Sequence, residues 1–530
     1  MNSGFSVLDW IIVVAYLLIL FAIGKYFAKK QAKQTQDFFL GERQMSLWVV
    51  AISVLATTQS AATFLGGPDQ GYGGNFTYVS SNIGALIAVA FVVLVLLPRF
   101  YQLRVTTVYN LLETRISSGA MRAAGGMYLI GRVFASGARL YLAAIAVSMI
   151  LFANVNANSI FISALLMTTI GFLMTFMGGI RSVIWSDLVQ FLIYMSAAVA
   201  ALYSLVMHID VDYNTIIDAL QNVPVTGTED ALTQNKLQLF DLSLDLTKPF
   251  TLLSIVFGIT LLLIGNYGLD QDTTQRLLTC KDESESGKAL IFSALIAIPI
   301  GFVFVAIGQM LYLFYQRPDL MIQAASSEVH QLFEGERITI FMHYILNEIP
   351  IGLRGFMVVG VISAAISTLN SGINSMASVA IHDFYKPWLT KSKVVEDAHF
   401  VFAGKVAMAL VGFALFAMSI LCFYWQRYTE MPLLDFALSV MVFAYSGLLG
   451  VFFVVVFTKR GSEMSVYLAL ATGFLVSLIQ QPYIVEFIGL PTVIGAMAFT
   501  WKLCIGTLLV FVVCILGSRE RGVQILSQEN

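Results

Sequence analysis

The chain has 530 residues, of which 58% are hydrophobic and 12% charged, with a formal net charge of −2; its mean hydropathy is +0.81. A soluble globular chain carries about 25% charged residues, and a nucleic-acid partner calls for a basic excess, so both classes are excluded. Four scattered cysteines (Cys280, Cys422, Cys504 and Cys514) have neither metal-ligand nor disulfide-framework spacing, and no nucleophile–base pair points to an enzyme.

Apolar runs of about 20 residues, long enough to cross a bilayer, recur from end to end. The chain therefore reads as an all-α polytopic membrane protein, with the lipid bilayer as its solvent. About thirteen spans are expected, at 8–27, 47–66, 78–98, 123–151, 157–179, 183–207, 250–274, 288–316, 351–378, 402–424, 432–457, 464–482 and 493–517. The first has no basic stretch before it and no small-residue cleavage site after it. It reads as a retained span rather than a signal peptide.

The second span contains Ala56-Thr57-Thr58-Gln59-Ser60-Ala61-Ala62-Thr63 and then Gly66-Gly67-Pro68, a pattern that predicts an interrupted helix. The fourth carries Arg132 and Arg139, seven residues apart and so on one helix face. Asp187 opens the sixth, just inside the membrane; intramembrane carboxylates are costly and are usually paired or ion-binding. The seventh span is expected to break at Gly265-Asn266-Tyr267-Gly268, followed by Asp270-Gln271-Asp272. The ninth carries Ser363, Ser367, Asn370 and Ser371 at spacings of three and four, which align along one face. Hydroxyl and carbonyl oxygens suit a hard cation, so this helix predicts a small cation held within the membrane.

One set of alternate loops is basic, with Lys29, Lys30, Lys33, Arg99, Arg104, Arg181, Lys281, Lys386, Lys391, Lys393, Arg519 and Arg521 among its charges. The other set is acidic, with Asp210, Asp212, Glu229, Asp230, Asp241, Asp319 and Glu334. Basic loops face the cytoplasm, which places the chain in the plasma (inner) membrane with its N-terminus outside and its C-terminus cytoplasmic. The two interrupted spans lie five spans apart, an odd number that inverts the second copy. The division expected is an N-terminal helix and loop (1–46), a first five-helix repeat (47–207), an extracellular loop (208–249), a second repeat (250–460) and two final helices (461–530).

These features resemble the sodium/solute symporter family. The likeness runs through Asp37-Phe38-Phe39-Leu40-Gly41, the Ala56–Thr63 break, Met177-Gly178-Gly179-Ile180-Arg181, Val183-Ile184-Trp185-Ser186-Asp187, Gln275-Arg276 and Ala364-Ala365-Ile366-Ser367-Thr368. It implies a LeuT-like five-plus-five inverted repeat. It implies sodium as the coupling ion, held by the hydroxyls of Ser367 and Thr368 and the carbonyls of Ala56, Gln59 and Ala364. Five neutral oxygens suit a monovalent ion. Some family members bind a second sodium where this chain has Asp187, Ser367, Asn370 and Ser371; Asn370 departs from the usual hydroxyl.

The same resemblance implies sodium-coupled import of a small organic solute. In the sialic acid transporters an arginine in a Gly-Arg-Val context binds the substrate carboxylate, here Gly131-Arg132-Val133. Thr58, Ser60 and Thr63 also match that subgroup, whereas Tyr78 and Asn82 replace its Phe and Gln. Asp270 aligns with a sugar-contacting Asn of the galactose carriers. Ala62, Thr63 and Asn266 lack those carriers' Glu, Gln and Tyr, and Thr57 lacks the Asp of the proline carriers. The expected solute is a carboxylated sugar such as sialic acid, or another organic acid. A neutral sugar or polyol, or use as a transporter-like sensor, is the alternative. No nucleic-acid or obligate protein partner is evident.

Overall fold

The computed structural model describes residues 5–28, 34–224, 233–322, 325, 332–333, 336–337, 339–391, 394–427 and 433–518. Of the charges used to orient the chain, Lys29, Lys30, Lys33, Glu229, Asp230, Glu334, Lys393, Arg519 and Arg521 lie outside these residues. The long helices follow the apolar runs. They begin with α1 (Val7–Phe27), the bent pair α2 (Leu47–Thr58) and α3 (Ala61–Gly73), α4 (Phe76–Gln102), α5 (Ser118–Phe152), α6 (Ala157–Phe176) and α7 (Gly178–Val206). They continue with α8 (Leu252–Leu269), the short α9 (Gln271–Leu277), α10 (Glu283–Gln316) and the short α11 (Ile340–Asn347). Then come α12 (Leu353–Leu389), α13 (Asp397–Gln426), α14 (Leu434–Phe457), α15 (Glu463–Ile479) and α16 (Phe499–Ile515).

Among the described residues ten helices are long and apolar enough to cross a bilayer, and the pair α2–α3 adds an eleventh. Helices α15 and α16 stand where the last two spans are expected but have only 17 residues each, the short end of what crosses a hydrocarbon core. The expected thirteen full-length spans are thus eleven and two shorter apolar helices.

Both predicted interruptions are present, each with a local cause. Helix α2 ends at Thr58, Gln59 and Ser60 are extended, and α3 leaves at 62° to α2. In the seventh span Gly265–Leu269 is one π-helical turn, and the chain becomes extended only at Asp270. The interruption therefore falls at the carboxylate after the glycine pair, and Asp270 caps α9 by accepting from the Asp272 amide. Gly179, at the start of α7, makes the kink from α6 at φ +60, where a Cβ would meet the Phe38 carbonyl at 2.6 Å.

Burial ranks the helices. The apolar window of α12 is 94% buried and that of α14 is 89%, against 28% for α1. An apolar helix buried on all sides carries polar side chains only where neighbours use them, so α12 is the element around which the site is built. Helices α3 and α10 cross backbone to backbone. A Cβ on Gly308 would meet the Gly71 Cα and Tyr72 nitrogen at 2.7 Å, as well as the Pro68 carbonyl. Outside the membrane-spanning segments, the buried Lys236 ammonium donates to the Tyr72 and Gly74 carbonyls at 2.6 and 3.0 Å. A cation thus sits on the carbonyl end of α3, where the helix dipole favours it.

The crossing predicts contrasting effects at two glycines. Gly308→Ala should destabilise the detergent-solubilised protein by about 1–3 kcal/mol, because the new methyl meets backbone that cannot rotate away. Gly73→Ala, where a Cβ meets nothing within 4 Å, should be neutral or slightly stabilising. Thermal melting of the two variants checks the contrast.

Candidate functional site

The interruption in α2–α3 frees backbone at the centre of the molecule. The Gln59 amide makes the last backbone bond of α2, to the Leu55 carbonyl. A helix end leaves its final carbonyls without intrahelical donors, so those of Ala56 and its successors are available. Ser367 and Thr368 lie on buried α12. Thr368 donates to its own helix at the Ala364 carbonyl, 3.1 Å, which leaves its lone pairs free. Ser367 donates to Asp187 Oδ1 at 2.7 Å, while Ser53 of α2 donates to Asp187 Oδ2 at 2.6 Å. One carboxylate thus ties α2, three residues before Ala56, to the paired hydroxyls of α12.

Asp187 belongs to a larger network. Arg276 of α9 donates to Asp187 Oδ2 at 3.0 Å and to Asp272 Oδ1 at 2.8 Å. Arg132 of α5 donates to Asp270 Oδ2 at 2.8 Å and to Asp272 Oδ2. Ser371 of α12 donates to Asp272 at 2.9 Å, and Tyr445 of α14 to Asp270 at 2.7 Å. All five charged side chains are at most 2% exposed. Such charges persist inside a membrane only when paired and hydrogen-bonded.

The residues expected to hold a second sodium are divided between two carboxylates. Ser367 reaches Asp187, whereas Ser371 reaches Asp272. The Asn370 carboxamide oxygen has no partner among the described residues, and it lies 3.2 Å from where a Cβ on Gly171 of α6 would be.

Beside the α2–α3 interruption lies a cavity of about 150 Å³. Thr58, Ser60, Thr63, Tyr78 and Asn82, which the family resemblance put forward for solute contact, line it together. Arg132 and Asp270 do not: they are held against each other in the charge network. The guanidinium that lines the cavity is Arg139, which among the described residues donates to the Met441 sulfur at 3.5 Å. Sequence reasoning placed Arg139 on the Arg132 face but not in the solute site. Asn266, Tyr267 and Phe304 complete other walls. Phe304 packs edge-on to Phe64 and next to Tyr194, with centroids at 5.4 and 5.2 Å, closing one side with dry aromatic surface.

The sodium:solute symporter family matches residues 38–473. The chain belongs to that family. Sodium-coupled monocarboxylate transporter 2 of Homo sapiens is 28% identical over 386 residues, 72% of this chain and 59% of that protein. The sodium/sialic acid symporter SiaT of Proteus mirabilis (strain HI4320) is 26% identical over 482 residues, 90% and 89% of the two chains. Among solved structures, a substrate-bound outward-open Na+-coupled sialic acid symporter superposes with a TM-score of 0.76 at 22% identity, covering 98% of this chain and 100% of the other. The shared fold is the LeuT-like one implied by the two interruptions. The chain spans less than two thirds of the length of the human monocarboxylate transporter it matches.

In this symporter family member, Arg132→Ala should be strongly destabilising, by about 3–5 kcal/mol, because it leaves Asp270 and Asp272 short of a buried counter-charge. Arg132→Met combined with Asp272→Asn should recover part of that loss. Melting temperatures of the single and double variants check the expectation.

Proposed function

We propose that this chain is a sodium-coupled secondary symporter that imports a small organic anion. The observation that carries the solute class is Arg139, which faces the cavity with a methionine sulfur rather than a carboxylate for a partner. A guanidinium can hold a carboxylate through two parallel hydrogen bonds. The hydroxyls of Thr58, Ser60 and Thr63 supply further donors and acceptors for a polar body. The sialic acid symporter and monocarboxylate transporters among the relatives carry acidic solutes by name, which agrees with this chemistry.

Cation coupling is supported by the charge network. Its three carboxylates, Asp187, Asp270 and Asp272, face two guanidiniums, Arg132 and Arg276. One positive charge near Asp187 and Ser367 would balance the set. Sodium is then a transported substrate, bound by the carbonyls of Ala56, Gln59 and Ala364 and the hydroxyls of Ser367 and Thr368. Ion and solute bind on either side of the α2–α3 interruption, so each stabilises the closed state for the other. Repeats 47–207 and 250–460 then rock against each other to expose both sites on the far face. The loops carrying Lys386 and Arg181 face the cytoplasm in this reading, and 208–249 faces outside.

The anionic solute has an electrical consequence. One sodium with one monovalent anion moves no net charge. Each additional sodium contributes about 2.3 kcal/mol per 100 mV. Uptake that responds to an imposed membrane potential therefore marks a second ion.

Two sets of variants test the proposal in proteoliposomes. Ser367→Ala with Thr368→Ala removes two of five ligands and should raise the half-saturating sodium concentration at least about tenfold, or ~1.4 kcal/mol. Unchanged sodium dependence would reject the site. Arg139→Ala should weaken uptake of a carboxylated solute about 100-fold, and Arg139→Lys should recover only part, since lysine lacks the planar fork. Full affinity in Arg139→Ala would turn the reading to a neutral polyol or sugar held by Thr58, Ser60 and Thr63.

A further inference from the structure

Helix α12 carries more polar side chains than the site uses. Beyond Ser367 and Thr368, toward the end that leads to Lys386, come Asn370, Asn374 and Ser378. Their four-residue spacing stacks them one turn apart on one face. They are 1%, 0% and 0% exposed. The Asn370 Oδ1, both polar atoms of the Asn374 carboxamide and the Ser378 hydroxyl have no hydrogen-bond partner among the described residues. A buried polar group without a partner is costly, and native structures leave few of them. Three in register on one helix face mark a function rather than packing.

The opposing helix, α6, approaches α12 closely at Asn370. Asn370 packs at Gly171 of α6, where even a methyl would come within 3.2 Å of its carboxamide oxygen. One turn on, the Thr175 hydroxyl bonds the Gly171 and Asn370 carbonyls at 3.0 and 3.5 Å. At Asn370 the α6–α12 seam therefore carries a glycine and a hydroxyl beside the Leu369 side chain. With 1.5 Å of rise per residue, Asn374 lies about 10 Å beyond Ser367 along the axis and Ser378 about 16 Å beyond it. The oxygens form a ladder of neutral ligands, weak enough to pass a monovalent ion on rather than hold it.

We propose that sodium leaves its site along this face of α12, and that the Asn374 carboxamide is a transient cation site on the way. The proposal rests on sodium coupling. It adds a release route that runs away from the solute cavity, so that ion and solute depart by separate exits.

The test uses Asn374→Leu, a near-isosteric change that removes only the polar atoms. It is read by sodium-driven uptake and by the sodium-dependent melting shift of the full-length protein. The expected result is at least a tenfold fall in turnover, with the sodium midpoint within about twofold of wild type and the sodium-free melting temperature no lower. Asn374→Ser, which keeps an oxygen, should recover turnover to within about threefold of wild type. Ser378→Ala, one turn farther on, is the independent variant and should slow turnover about threefold with an unchanged midpoint. Wild-type turnover in Asn374→Leu or in Ser378→Ala overturns the route. A tenfold higher sodium midpoint in Asn374→Leu also overturns it, by making Asn374 a ligand of the main site. A wild-type protein with neither sodium-driven uptake nor a sodium-dependent melting shift overturns the coupling reading itself.

Discussion

The architecture turns on the carboxylate of Asp187. Its two oxygens receive hydroxyls from α2 and α12 and a guanidinium from α9. Four otherwise separate elements meet there, since Asp187 itself rides on α7. In a low-dielectric interior such a junction has no solvent to substitute for a lost partner. The helices that meet at it cannot drift independently, and their relative positions are set by two side-chain oxygens. The same junction ties α2 at Ser53, one turn before its last residues, to Ser367 of α12.

The network extends this logic across the molecule. Asp272 receives from Arg132, Arg276 and Ser371, and Asp270 from Arg132 and Tyr445. The interruption at Asp270 turns a membrane helix into a short polar segment, α9, that together with its Asp270 cap inserts two carboxylates and an arginine among its neighbours. Breaking the helix there frees an amide that Asp270 itself caps. The charges are thus held by backbone geometry as well as by one another.

Much of this was legible in the chain. The spans follow from hydropathy, and the first interruption from a run of small and hydroxylated residues closed by Gly66-Gly67-Pro68. The second was displaced by a few residues, because Gly265–Leu269 winds as a π turn before the chain opens at Asp270. Thr58, Ser60, Thr63, Tyr78 and Asn82 could be picked out from the chain, and they share one cavity. The partners of the two arginines were not legible. Arg132 and Arg139 share a helix face, and which one meets carboxylates depends on Asp270, 138 residues away in sequence. Periodicity reports the face of a helix, not what the facing helix brings to it. The partner of Asp187 was hidden for the same reason: Arg276 is 89 residues distant.

Helices α3 and α10 meet without side chains between them at Gly71 and Gly308. Most helix contacts interlock, so that sliding one helix requires rotamers to unlatch along its length. A glycine-on-glycine crossing has no teeth. It brings two main chains into close register yet resists neither a small twist nor a small slip, as a plain bearing does in a machine. The close approach of α3 and α10 at these two glycines is therefore one at which a change of angle requires little rearrangement of side chains.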